Sequence, residues 1–370
     1  MRKHHPKNER IKRQYLIYLE EAKRMAPSSV NQHLAHIAAY ESSTNYKDFA
    51  GFRIEQARSF KRHLSEATNK RTGKPLSKAT INSTLKSLRV FFIWLAGQPG
   101  YRSKLNYSDA DYFNDTNNDA RIAAAVIEKP APTMDQIHHA IQCMPTASEI
   151  DMRNRAIMAF SLLSGARDDA IASLSIKHID LQRRIVIQDA REVRTKFRKT
   201  AETWFFPVGE DIEQIVVDWI NYLTTEKLFG PNDPLFPATE IAHGSSKLFE
   251  AVGLSRRHWK TADGIRKIFR DAWKQADLPH FIPHSIRSTL ALYGLAFCTN
   301  YEELKSWSEN LMHEKMLTTL SSYAKVPHHR KAEVFEEMRA RLSAFSKSNP
   351  DEPGQVEIDR VLAYLRKRAS

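Results

Sequence analysis

Long apolar runs are missing from this chain. No stretch approaches the ~18 consecutive apolar residues of a membrane-spanning helix, so no membrane partner is expected. The segment from Met1 to Gln14 is charged and has no apolar core, so it does not read as a secretory signal. Cysteine is scarce. Cys143 and Cys298 stand in different contexts, which argues against a disulfide framework and for a reducing, cytoplasmic setting. No Cys/His spacing suggests zinc, and the pairs His138–His139 and His328–His329 read as solvated. There is no internal repeat and no low-complexity tract.

What the chain has in excess is positive charge. The net charge is +13 and the pI about 9.6, which favours a polyanionic partner. A hydrophobic share of 42% is enough for real cores, and 370 residues leave room for two ordinary domains.

Residues 1–125 read as helical. Arg10 to Met25 carries Ile11, Tyr15, Leu16 and Leu19 at helical spacing. Ser28 or Ser29 could cap a second helix bearing Val30, Leu34 and Ile37. A third runs from Ile54 to Leu64. The fourth starts at Ser77, carries the stripe Ile81, Leu85, Leu88, Phe91, Phe92 and Leu95, and stops at Gly97 and Pro99. Before it lies a basic loop with Lys70, Arg71 and Lys74. This loop is either a solvated turn or a surface laid along a phosphate backbone, with Lys78, Lys86 and Arg89 extending the charge.

Pro130 and Pro132 end the small, featureless stretch that precedes them, so residues 126–132 read as a linker. Thr133 and Gln136 then form a capping box that opens a second domain. Arg153 to Leu163 is an apolar helix ending at Gly165, with Arg167 just past the break. Two β-prone runs follow, Arg184 to Gln188 and Thr203 to Val208, around a turn rich in Lys and Arg. A helix spans Glu210 to Leu228. Arg256, Arg257 and Lys260 form a basic segment with Trp259, continued by a basic helix from Gly264 to Ala276. The expected fold is mainly α, with a small antiparallel β-hairpin or sheet in the C-terminal domain.

His284 and Arg287 stand three apart, so on a helix they share one side. His313 and Tyr323 follow. Arginine holds phosphate oxygens bidentately, histidine moves protons near neutral pH, and tyrosine can attack covalently. Together these residue types suggest phosphate chemistry.

The order of these parts resembles the tyrosine recombinase, or phage integrase, family. The parts that carry the likeness are Ser164-Gly-Ala-Arg167 opening a helix, a basic hairpin, His284-Ser-Ile-Arg287, His313 and Tyr323. The N-terminal region resembles the family's helical core-binding domain through Gly73 to Ile81. The resemblance implies a two-domain architecture: a core-binding domain at 1–125, a catalytic domain at 133–326, and a helical tail at 327–370 exchanged between protomers. It implies double-stranded DNA as partner and a tetramer on that DNA. The implied catalytic residues are Arg167, Lys196 with Lys199 as runner-up, His284, Arg287, His313 and Tyr323. The basic residues read from charge as DNA contacts are Lys70, Arg71, Lys74, Lys78, Arg256, Arg257 and Lys260.

The chemistry so implied is strand exchange through a 3′-phosphotyrosyl link, with no metal, ATP or other cofactor. An integrase of a mobile element is the leading reading. A Xer-like resolvase or a type IB-like topoisomerase is the second, and a DNA-binding protein with a decayed site the third. Two departures from the pattern stand out. Met312 precedes His313 where the family has Gly, and the ten residues from His313 to Tyr323 are one more than the commonest spacing.

Overall fold

The structure, a computed structural model, describes residues 4–69, 72–124, 130–196, 199–243, 249–312, 332–333 and 335–340. The chain divides into two compact units, Met1–Ile127 and Glu128–Ser370.

The first unit is built from helices α1 (Pro6–Ile17), α2 (Pro27–Ser43), α3 (Ile54–Glu66), α4 (Lys78–Ala96) and α5 (Asn117–Ala124). α1 passes into a single π-helical turn at Tyr18–Ala22, so the first apolar stripe continues past the end of the α-helix. α2 begins one residue before the expected serine caps. Pro27 takes its first position and Ala26 its N-cap, because proline's fixed φ is ready-made for a helix start. Ser77 does cap α4, accepting a hydrogen bond from the Thr80 N–H at 3.1 Å.

The expected α4 stripe is buried along its length. It meets a largely aromatic core in which the Tyr40 ring sits edge-on to Phe60, Phe92 and Phe113 at 5.4 to 5.5 Å. A buried polar knot ties α1 to this core. The Asn8 amide donates to Glu41 Oε1 (3.0 Å) and the Lys47 carbonyl (2.9 Å), and Asn8 Oδ1 accepts from the Phe49 N–H (3.1 Å).

The second unit has α6 (Met134–Cys143), α7 (Glu149–Ser164), the one-turn α8 (Asp168–Ile171), α9 (Glu210–Asn221), α10 (Asp263–Gln275), α11 (Pro283–Phe297) and α12 (Tyr301–Asn310). α7 is its axis: every residue from Ala156 to Ser164 is buried. The two β-prone runs pair, but the second strand lies at 201–204 and not at Thr203 to Val208, because the Phe206 N–H donates to the Leu163 carbonyl at 2.7 Å instead of to the sheet. β2 (Ile185–Gln188) and β3 (Ala201–Trp204) are antiparallel, with Ile185 opposite Trp204 and Gln188 opposite Ala201. A short β1 (Ile179–Asp180) adds a third strand beside β2. A second antiparallel pair, β4 (Thr239–His243) with β5 (Phe249–Leu254), stands where no strand was expected. Its pairing is interrupted by a bulge between Glu240 and Ile241, which blurs the alternation that marks a strand. α8 is shorter than the spacing of Ile171 and Leu174 implied, because the backbone turns away after one turn toward β1.

Glu149, at the start of α7, holds this unit together from one end. Its carboxylate accepts from the Leu254 N–H (3.0 Å) and the Tyr222 hydroxyl (3.2 Å), and pairs with Lys227 (2.7 Å). Burial by itself would raise the Glu149 carboxyl. The Lys227 ammonium, the Tyr222 hydroxyl and the Leu254 N–H outweigh it and hold the group below the usual carboxylate range. A depressed folded-state pKa means stabilisation that is present above the ordinary glutamate value and lost as pH falls through the depressed one. Glu149→Gln is therefore expected to lower stability at pH 7 and to lessen its decline on acidification. Chemical denaturation of both proteins between pH 3 and 7 checks this; parallel pH profiles would count against it.

Candidate active site

α11 begins at Pro283, whose ring suits the first helical position. That places His284 in the first turn, exposed, and Arg287 one turn deeper, only 3% exposed. A guanidinium so buried must find acceptors. It donates Nη1–H to the Gly165 carbonyl and Nη2–H to the Leu311 carbonyl. Gly165 lies two residues before Arg167, and Leu311 two before His313. One side chain thus gathers three of the sequence-predicted parts: the Gly165–Arg167 turn, the start of α11, and the chain entering His313.

Gly165 ends α7 in the left-handed conformation, φ +60. A Cβ there would lie 3.1 Å from Leu311 Cδ2, 3.2 Å from Phe206 Cε2 and 3.3 Å from Leu290 Cδ1. Both the turn and the close approach require glycine. Arg167, half-buried, is the N-cap residue of α8. The two carboxylates after it are engaged with other bases. Asp168 pairs with Arg266 (2.7 Å) and Asp169 with Arg194 (2.8 Å). Met312, at the position where the resembled family has glycine, has φ +54. The left-handed backbone explains why glycine suits that position. The Met312 side chain is contacted by the Gln188 amide at 3.7 Å, which links β2 to this segment.

Lys196 is exposed on the turn between β2 and β3, and Lys199 lies further along the same turn. His313 and Tyr323 fall outside the described residues, as do Lys70, Arg71 and the tail from 341 onward. Lys74 is exposed opposite Asn69, whose N–H donates to its carbonyl at 2.8 Å, and Gly73 before it has φ +66. Lys78 is exposed and pairs with Asp119 (2.8 Å), which raises the lysine pKa. Arg256 pairs with Asp233 (3.0 Å), donates to the Lys227 and Leu228 carbonyls, and stacks on Phe229. These contacts give Arg256 a task in holding the end of the helical segment at 222–226. Arg257 and Lys260 are exposed.

Two roles were not legible in the sequence. Arg194 ties the turn between β2 and β3 to α8 through Asp169. Arg153 is buried within α7 and donates to the Pro237 carbonyl (2.9 Å) and Thr239 Oγ1 (3.0 Å) beneath the Trp259 ring. Asp169 lies 25 residues from Arg194, and Pro237 and Thr239 lie 84 and 86 from Arg153, so no local pattern signals these contacts.

Gly165→Ala is expected to destabilise the protein by about 1–3 kcal/mol, since a left-handed alanine is strained and its methyl collides with packed side chains. Urea denaturation checks it. A change within experimental error would show that the α7 terminus tolerates a side chain.

Comparison with known proteins gives this arrangement its context. Residues 132–327, more than half of the chain, match the model of the phage integrase family. A tyrosine recombinase XerC of Histophilus somni is 23% identical over 242 residues, covering 65% of this chain and 72% of that protein. A XerC of Actinobacillus succinogenes is 26% identical over 171 residues, and the chain spans about half (48%) of its length. Among solved structures, the Tn1549 transposon integrase in complex with transposon right end DNA superposes with a TM-score of 0.57 at 14% identity, over 89% of this chain and 99% of that one. A lambda integrase dimer bound to a COC' core site gives 0.55 at 13%, over 85% and 97%. At these identities the structural likeness speaks for the fold alone. The match over residues 132–327, in a two-domain, mainly helical architecture, makes the chain a member of the phage integrase family.

Proposed function

We propose that the protein is a site-specific DNA recombinase, acting as the integrase of a mobile element. The observation that carries this reading is the convergence on Arg287 of the Arg167 turn and the segment entering His313. On this reading Tyr323 attacks a DNA phosphodiester and its phenolic proton passes to His284. A 3′-phosphotyrosyl link forms, and the bond to the 5′ oxygen breaks. Lys196 gives that oxygen its proton, so a 5′-hydroxyl leaves. Arg167 and Arg287 supply positive charge to the non-bridging oxygens and His313 donates a hydrogen bond to them, stabilising the charge of the transition state. The N-terminus of the 15-residue α11 adds a favourable dipole for an anion beside His284. The covalent link conserves the phosphodiester bond energy, so rejoining needs no ATP. The XerC relatives favour a second reading, a Xer-like resolvase using the same chemistry.

Duplex DNA is the partner that the charge of +13 supports, with Lys70, Arg71, Lys74, Lys78, Arg256, Arg257 and Lys260 as contacts. The cytoplasm is the compartment that scarce cysteine supports. Residues 1–125 serve as the core-binding domain and 133–326 as the catalytic domain. The tail, 327–370, packs on a neighbouring protomer within a tetramer. An apolar groove of about 600 Å3 beside α12, lined by Trp204, Phe206, Phe297 and Trp307, supports a surface of that kind.

Tyr323→Phe is expected to keep DNA affinity and to abolish the covalent adduct on a nicked suicide duplex. An adduct that persists and maps to Tyr293 or Tyr301 would overturn the assignment. Strand exchange between two duplexes separates a recombinase from a topoisomerase. Deletion of residues 347–370 is expected to spare single-site binding and reduce tetramer assembly in a native gel; unchanged synapsis would refute the exchanged tail.

A further inference from the structure

The proposed chemistry requires the lysine of the turn between β2 and β3 to reach one oxygen atom. Its near end is tied down at three points by one residue. The Arg194 N–H donates to Ser173 Oγ at 2.9 Å, its Nε–H to Asp169 Oδ1 at 2.8 Å, and its Nη2–H to the Trp259 carbonyl at 3.0 Å. Each acceptor is itself held. Asp169 lies in α8, two residues after Arg167, and Ser173 Oγ donates back to the Ala170 carbonyl at 3.1 Å. Trp259 is clamped between layers: its Nε1–H donates to the Phe236 carbonyl at 2.8 Å, and the buried Arg153 guanidinium lies 4.8 Å over its ring. The turn has a second tie one step earlier, where Glu192 meets His178 (2.9 Å) and Lys177 (2.7 Å). The Arg194 tie reaches α8, the helix that opens at Arg167.

We propose that Arg194 is a positioning residue that sets Lys196 relative to the phosphate held by Arg167, acting through its fork of bonds to Asp169 and the Trp259 carbonyl. The proposal rests on the recombinase reading above. Arg194 itself takes no part in bond making. The planar guanidinium reaches two acceptors in fixed directions, which an ammonium cannot reproduce. Loss of the fork leaves the Arg167 clamp in place and frees the lysine two residues on. The defect is therefore specific to the step in which the lysine gives up its proton.

That step can be isolated chemically. In a normal duplex the P–O5′ bond breaks and the departing oxygen takes a proton from Lys196. If the bridging 5′ oxygen is replaced by sulfur, the electron pair leaves on a thiolate. A thiolate is a much weaker base than an alkoxide and needs no proton. The experiment compares single-turnover cleavage of suicide duplexes carrying oxygen or sulfur at that position, at saturating protein. It uses the wild-type chain, Arg194→Ala, Arg194→Lys, Asp169→Asn and Lys196→Ala. Arg194→Ala is expected to slow cleavage of the oxygen duplex by about ten- to a hundredfold, the scale of a misplaced catalytic group, and to regain the wild-type rate with sulfur. Arg194→Lys and Asp169→Asn should behave alike, and Lys196→Ala should show the same rescue from a larger defect.

Slowing that is equal on both duplexes would mean that Arg194 acts on the clamp or on DNA binding, and would overturn the proposal. So would an unchanged rate on the oxygen duplex, or a Lys196→Ala defect that sulfur does not rescue. If Arg194→Ala does not fold, Arg194→Lys and Asp169→Asn decide by the same comparison. A wild-type chain that forms no adduct on either duplex refutes the recombinase reading itself, which is a different result from an adduct whose rate ignores Arg194.

Discussion

The second unit depends on one buried guanidinium. Arg287 sits 3% exposed in α11 with two of its five donors on the carbonyls of Gly165 and Leu311. Those carbonyls belong to the last turn of α7 and the residue just past α12, both of which must stop there for the site to form. A buried cation is costly unless its hydrogen bonds are met, and a buried carbonyl is costly without a donor. Each side therefore enforces the other. The arrangement makes the site a single packed unit rather than a collection of residues on separate helices.

Around this centre the structure spends buried polar groups on linkage. Glu149 holds the start of α7 to β5 and to the helical segment at 222–226, while Arg153 one turn later holds β4 and the Trp259 ring. Burial lowers the Arg153 pKa to about 10, with Glu149 opposing the shift, so the guanidinium stays charged at neutral pH. α7 is thus anchored at its first turns by ionic contacts and at its last by a glycine that admits Leu311, Phe206 and Leu290. Rigidity at both ends suits a helix whose C-terminal turn leads into Arg167.

Much of this was open to reading from residue order. The α4 stripe, the Ser77 cap, the Thr133 capping box and the break at Gly165 all rest on neighbours within a few residues. The start of α2 was misjudged because two plausible serine caps outshone a proline at the first position. The β4–β5 pair was missed because a bulge interrupts its alternation. Met312 is a case in which the two views explain each other: the sequence departs from a glycine, and the backbone there is left-handed.

What the sequence by itself determined is chemical and local. It set which side chains can clamp phosphate or move protons, the 3.6-residue and two-residue periodicities, and a charge of +13 that favours a polyanion. Only the tertiary structure decided that His284 is exposed while Arg287, three residues on, is buried, and that Arg256 serves the end of a helical segment. It alone decided that Arg194 spans from the lysine turn to α8 and Trp259. The reason is distance along the chain. A guanidinium chooses among acceptors brought together by packing, and those of Arg194 lie 25 and 65 residues away. No periodicity encodes such a choice, because it exists only once the hydrophobic core has closed.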